Sequence, residues 1–213
     1  MKITDEFLED YYFFEEAMFD DACQEYIYEG INGPIIGIHG VLYGWPEDGL
    51  RAFMKKHKVK GQLLYLGSLM YGIKQYFKQL DIAFSKYKNP LILGFSAGGF
   101  LALDYVNKNN LWKKINKIIT IGTPFNGIHQ LYKVAGKTAK EVVPGSPLLG
   151  RIRKINPPKD KVLSIFAKKD RFVGNPDLIE INWPKVITKA QSHGDIQNHQ
   201  KWFEKILKSE LGI

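Results

Sequence analysis

Cysteine is almost absent from this chain, since Cys23 is the single one among 213 residues. No intramolecular disulfide can therefore form, and Cys23 has no partners at metal-ligand spacing, so we expect a core or surface thiol. Long apolar runs are also absent, because no stretch approaches the roughly 18 residues that cross a bilayer. No internal repeat or low-complexity tract occurs, and the N-terminus lacks the pattern of a secretory signal. We expect an intracellular, cytoplasmic protein.

Negative charge is scarce outside the N-terminal segment. Residues 1–29 hold ten acids and one lysine, a net charge of −9, so the remainder carries +17 within a total of +8. The basic residues are scattered and no recognition motif occurs, so we expect a solvated basic surface and no nucleic-acid partner.

The aromatics of segment 1–29 have near-helical spacing and predict one or two helices packed on the body. Transient docking to a membrane surface or a partner is the alternative, which acidic helices disfavour.

Short apolar runs alternate with helical patterns from residue 34 onward. Strands are predicted at 34–39, 62–66, 91–93, 117–122, 161–166 and 185–188, and helices near 48–57, 72–87, 100–106 and 195–209. This alternation predicts an α/β domain over residues 30–213, with a mainly parallel sheet of about six strands and helices on both faces. The long interval 125–157 is predicted to be a cap insertion.

Residues 94–99 read G-F-S-A-G-G and follow an apolar strand directly. A G-x-S-x-G pattern between a strand and a helix is typical of the nucleophile elbow of serine hydrolases, whose tight turn requires small flanking residues. Such a turn holds Ser96 in a strained, exposed position beside N–H groups at a helix N-terminus. The alternative is a glycine-rich turn with an inert serine.

A serine nucleophile needs a base, and the base needs an orienting carboxylate. Of five histidines, only His193 is predicted in a loop just beyond the last strand, where a base above Ser96 would lie. Asp170 directly follows the fifth strand and is the preferred acid, with Asp177 as the alternative. Asp170 has the further alternative of a turn carboxylate paired with a neighbouring basic residue. The other acids of this region are Glu180, Asp160 and Asp195, the last predicted as the N-cap of the final helix.

The tetrahedral intermediate of such a reaction needs two N–H donors. The backbone of Ala97 supplies one, because it follows the serine in the elbow. The second is expected from the loop after the first strand, where His39 and Gly40 precede Val41. His39 is expected to support this turn rather than to transfer protons.

Together these residues resemble the α/β-hydrolase superfamily, in particular its small lipases and lipase-like esterases. The matching motifs are His39-Gly40, the elbow at 94–98, G-T-P-F-N-G at 122–127, P-G-S at 144–146, Asp170 and His193. The resemblance implies that Ser96 is the nucleophile, His193 the base and then the acid, and Asp170 the orienting carboxylate, with Val41 and Ala97 as oxyanion donors. The sequence departs from the pattern at Phe125, where a histidine is usual.

The implied activity is cleavage of carboxylic esters of acyl chains, on a small-molecule or lipid-like substrate. Thioester cleavage and acyl transfer on the same triad are alternatives, as is a non-catalytic hydrolase-like binding module. Predicted substrate contacts are Leu42, Phe125, Leu131 and Leu148. The insertion 125–157 joins apolar residues to six basic ones and one acid, which suits an acyl chain on an anionic group, although the basic residues can also serve only to keep the insertion soluble. No cofactor or metal is expected, because the sequence has no ligand cluster.

Overall fold

One sheet of seven strands organises the residues that this computed structural model describes, 25–41, 47–67, 72–196 and 201–213. The strands are β1 (Glu25–Tyr28), β2 (Asn32–Val41), β3 (Val59–Gly67), β4 (Leu91–Phe95), β5 (Lys117–Ile121), β6 (Val162–Ala167) and β7 (Lys185–Thr188). They are ordered β1-β3-β2-β4-β5-β6-β7, with β1 antiparallel to β3 and every other neighbouring pair parallel. The prediction of a mainly parallel α/β sheet is confirmed.

Helices cover both faces of this sheet. They are α1 (Ala52–Lys56), α2 (Phe77–Lys86), α3 (Ala97–Lys108), α4 (Lys137–Glu141), α5 (Pro147–Ile152) and α6 (Lys201–Leu211), with short helical turns at Glu47–Arg51, Ile73–Tyr76, Trp112–Lys114, His129–Lys133 and Pro176–Leu178. Successive residues of a strand point to opposite faces, so Ile92 of β4 joins the apolar cluster under α2 and α3. Leu91 and Leu93 join the cluster under α1 and α6. No helix in the described ranges is long and apolar enough to cross a bilayer.

The antiparallel strand β1 differs from the prediction, which placed residues 25–28 in a helical segment. Tyr26 and Tyr28 lie half-buried against the core, whereas Ile27 between them is 56% exposed. This alternation, together with the aromatic and β-branched side chains, favours a strand at a sheet edge. The Arg51 guanidinium lies 4.2 Å from the centre of the Tyr26 ring and donates to the Tyr28 hydroxyl at 3.1 Å. Residues 1–24 lie outside the described residues, and helices there stay a prediction.

The insertion between β5 and β6 packs as part of the core. Its buried apolar side chains belong to the same cluster as those of α2 and α3, and they include Ile128, Leu131, Val142, Leu148, Leu149 and Ile152. Ser146 caps α5 by accepting the Leu149 N–H at 3.3 Å, with Pro147 in the first turn. The insertion therefore forms one side of the domain over α3.

The strands β2, β4, β5 and β6 run parallel, so their carboxyl ends meet at one edge of the sheet. Gly40, Ser96, Gly122 and Asp170 lie at or just beyond these ends. In open α/β sheets this edge is where ligands bind.

Candidate active site

Ser96 occupies the turn between β4 and α3 in a strained backbone conformation. Its φ is 53° and its ψ is −126°, which side-chain-bearing residues rarely adopt. The Ser96 N–H donates to the Ile121 carbonyl at 2.8 Å, and the Thr123 hydroxyl donates to the Ser96 carbonyl at 2.9 Å. The turn is thus held from β5. Ser96 is only 7% exposed, so it is more enclosed than the motif predicts.

Glycine is required around this serine because a backbone carbonyl and a threonine side chain lie close to the start of α3. A β-carbon at Gly98 would lie 2.0 Å from the Ile38 carbonyl oxygen, and one at Gly99 would lie 2.0 Å from the Thr123 hydroxyl oxygen. The small residues of the motif therefore allow α3 to begin directly against β2 and the segment after β5.

His193 and Asp170 are joined by a hydrogen bond. His193 Nδ1 lies 2.7 Å from Asp170 Oδ2, and Asp170 Oδ1 accepts the N–H groups of Phe172 and Val173 at 3.0 and 3.1 Å. The Asp170 side chain is fully buried, and that of His193 is 15% exposed. An ionised Asp170 accepts from the Nδ1–H of a neutral imidazole, which leaves Nε2 free to take a proton.

Gly122, the first residue of the G-T-P motif, makes room for this pair. A β-carbon there would lie 3.3 Å from both Cε1 and Nδ1 of His193 and 3.6 Å from Asp170 Oδ2. Because the residue before Gly122 accepts the Ser96 N–H, the turn after β5 contacts both the serine and the histidine. Sequence analysis missed this role, although the motif marked the position. In the described part of the chain, no hydrogen bond joins the Ser96 hydroxyl to His193. Catalytic hydrogen bonds are often long in ligand-free enzymes and shorten only when substrate binds.

The end of β2 lies against the elbow. A β-carbon at Gly40 would lie 2.9 Å from the Ala97 nitrogen and 3.0 Å from Ser96 Cβ. Val41 ends β2 at this point, and its N–H, like that of Ala97, stays a predicted oxyanion donor. Leu42 lies outside the described residues.

The other predicted substrate contacts are in the core. Phe125, Leu131 and Leu148 are 1%, 1% and 3% exposed. The Phe125 ring contacts the rings of Phe100 and Trp183, with centroids 5.8 and 5.7 Å apart. As contacts to a substrate, all three stay predictions.

The remaining histidines lie apart from the Asp170–His193 pair or serve other contacts. His57 Nε2 is 2.8 Å from Glu204 Oε1, and the His129 ring lies 6.0 Å from that of Tyr132 in the insertion. His39 is buried, with its ring 4.6 Å from that of Phe95. His199 lies outside the described residues.

The other acidic residues of the region that follows β5 occupy different positions. Asp177 and Glu180 are exposed, and Asp160 lies in the turn before β6. Asp195 accepts the Gln191 N–H at 2.9 Å and so closes the turn that carries His193, whereas the described part of α6 begins at Lys201.

A mainly parallel sheet with a strand–serine–helix turn at its carboxyl edge defines an α/β-hydrolase fold. No family model and no curated protein matches the chain, but solved structures do. The mature lipase of Bacillus licheniformis is 13% identical, with a TM-score of 0.68 over 88% of this chain and 98% of that one. The monoacylglycerol lipase of Paleococcus ferrophilus is 12% identical, with a TM-score of 0.57 over 89% of this chain and 98% of that one. The bromoperoxidase of Bacillus anthracis is 15% identical, with a TM-score of 0.60 over 91% of this chain and 97% of that one. The chain has the α/β-hydrolase fold.

Proposed function

We propose that this protein is a serine hydrolase that cleaves carboxylic esters of acyl chains, with Ser96, His193 and Asp170 as its triad. The observation that carries the proposal is the 2.7 Å contact between His193 Nδ1 and the buried Asp170 carboxylate, over the turn that also binds the Ser96 backbone. The strained backbone of Ser96 supports it. Two of the similar solved structures carry the name lipase, which supports esters as the substrate class.

The proposed reaction proceeds through an acyl-enzyme. Ser96 Oγ attacks the ester carbonyl carbon while His193 Nε2 takes its proton, and the carbonyl electron pair moves to oxygen, where the N–H groups of Ala97 and Val41 donate to it. The bond to the leaving oxygen then breaks, and His193 gives that oxygen its proton, so an alcohol departs. Water repeats the sequence on the acyl-serine and releases a carboxylic acid. Asp170 stays ionised and orients the imidazole throughout.

Labelling with a fluorophosphonate tests the nucleophile. The wild-type protein is expected to be modified at Ser96, and Ser96→Ala is expected to lose both the label and nitrophenyl-ester hydrolysis, with kcat lower by about 10³-fold or more. Ser85→Ala is the matched control, since Ser85 is exposed and, within the described residues, its hydroxyl donates only to the Ile82 carbonyl. An unlabelled wild type would favour a non-catalytic binding module instead.

The leaving group and acyl chain are tested on the same protein. Nitrophenyl esters of increasing chain length, assayed beside the matching thioesters, are expected to give the higher kcat/KM for the oxygen esters. A reversed order would reassign the protein to thioester cleavage. Neutral and phosphate-bearing esters compared over a salt series test the cationic insertion, because attraction to a charged substrate weakens with ionic strength.

A further inference from the structure

The His193 imidazole contacts two phenylalanine rings. The centroid of the Phe95 ring lies 5.0 Å from that of the imidazole at an interplanar angle of 44°, and the centroid of the Phe172 ring lies 5.1 Å away at an interplanar angle of 77°. Both phenylalanines are buried, with 3% and 9% exposure. The pair restricts the orientations that the imidazole can adopt.

Phe172 is connected to the acid and to the base at once. Its N–H donates to Asp170 Oδ1 at 3.0 Å, while its ring contacts His193. The Arg171 guanidinium carbon lies 4.9 Å from the centre of the Phe172 ring, and the Arg171 carbonyl accepts from Gln130 of the insertion at 3.3 Å. Phe172 therefore has little freedom to move away from the imidazole.

Phe95 immediately precedes the candidate nucleophile and is supported by a second set of rings. Its ring lies 4.6 Å from that of His39, which is itself 6.0 Å from that of Tyr65. These residues come from the adjacent strands β4, β2 and β3, so the sheet itself sets the position of the Phe95 ring.

We infer that Phe95 and Phe172 are positioning residues, whose rings hold the His193 imidazole with Nδ1 on Asp170 and Nε2 available for the Ser96 proton. The inference rests on the proposed function. Orientation matters because a misplacement of about 1 Å at a reacting group can lower a rate by roughly 100-fold.

Removing each ring separately tests the inference. Phe95→Leu and Phe172→Leu are expected to lower kcat on a short nitrophenyl ester by roughly 10- to 100-fold with little change in KM. Phe172→Tyr, which keeps the ring, is expected to retain most of kcat. Phe84→Leu is the matched control, because Phe84 has a comparable ring contact with Tyr105, at 5.2 Å, on the helix pair α2 and α3.

A readout without turnover accompanies the kinetics. The NMR signals of the His193 ring protons, assigned by their loss in His193→Gln, are expected to shift in Phe95→Leu and Phe172→Leu but not in Phe84→Leu, since ring currents act only at short range. An active wild type whose two leucine variants keep kcat, or lose no more than Phe84→Leu does, would overturn the inference alone. A wild type without ester hydrolysis or fluorophosphonate labelling would overturn the proposed function and with it the inference.

Discussion

Gly40 packs directly against Ser96. A β-carbon on Gly40 would lie 3.0 Å from Ser96 Cβ and 2.9 Å from the Ala97 nitrogen. Both neighbours belong to the turn between β4 and α3, which is bound to β5 and cannot easily yield. The absence of a side chain at Gly40 therefore keeps the Ala97 N–H open at the proposed oxyanion site.

Gly40→Ala is expected to lower kcat for ester hydrolysis by about 100-fold or more, the typical cost of losing one oxyanion donor. Gly150→Ala is the matched control, because a β-carbon at Gly150, on the exposed side of α5, would have no atom of the described residues within 4 Å. The control is expected to keep full activity and to gain about 0.5–1 kcal/mol of stability. Thermal unfolding of both variants separates a lost site from a lost fold, and full activity in a folded Gly40→Ala would contradict the proposed donor.

Asp104 of α3 binds Arg151 of the insertion through two contacts, Nε–Oδ1 at 3.3 Å and Nη2–Oδ2 at 3.4 Å. The Asp104 side chain is 9% exposed and that of Arg151 is 49% exposed. Arg151→Met is expected to lower the free energy of unfolding by about 1–2 kcal/mol, because it leaves a nearly buried carboxylate without its cation while solvent screens the outer half of the pair.

Lys154→Met is the control for that change, since Lys154 is an exposed cation of the same insertion. Urea unfolding of both variants, with Asp104→Asn completing a double-mutant cycle, measures the coupling. Equal effects of the two methionine substitutions would contradict a specific Asp104–Arg151 contribution.

Glu204 on α6 carries a pH-dependent contact to the end of α1. The Lys56 ammonium, and then the His57 imidazole, lower the pKa of Glu204 from 4.5 to about 2 through hydrogen bonds of 3.0 and 2.8 Å. Because the folded pKa lies below the unfolded one, the stabilisation is complete above pH 4.5 and is lost as the pH falls towards 2. Glu204→Gln is therefore expected to lower Tm at pH 7 and to approach the wild-type Tm near pH 2. The same substitution at exposed Glu180 is the control, and a Tm difference that does not change with pH would contradict the prediction.

Much of this architecture follows from local patterns. The parallel strands were predictable because buried strands appear as short apolar runs. That Asp170 and His193 lie close together was predictable because residues that follow parallel strands share one edge of the sheet. Strand β1 was missed because its alternation covers only a few residues inside an acidic segment whose spacing looks helical. The burial of Leu131 and Leu148 was not predictable, because an apolar residue in an insertion is equally consistent with a core position and with a ligand contact. Only the packing partners decide, and those lie far away in the sequence.

Hydrogen bonds join the insertion to the segment that precedes α2. The Gly72 N–H donates to the Thr138 hydroxyl at 3.0 Å, and the Ile73 N–H donates to Glu141 Oε2 at 2.7 Å. Leu131 and several neighbouring apolar side chains are buried in the main cluster, and each would cost about 1.5–3 kcal/mol to expose. Opening the insertion as a lid would therefore cost many kcal/mol.

The rate of hydrolysis is accordingly expected to rise hyperbolically with the concentration of a short-chain triglyceride, without a step where the substrate exceeds its solubility limit. A lid that opens at a lipid surface would produce such a step, because the surface would supply the free energy of opening. Initial rates measured across the solubility limit decide between the two. Arg151→Met is the companion variant. It weakens the attachment of the insertion to α3 and is therefore expected to make opening of the insertion easier. An abrupt rise in the wild-type rate at the limit would show that the insertion opens despite its buried side chains and its bonds to Gly72 and Ile73.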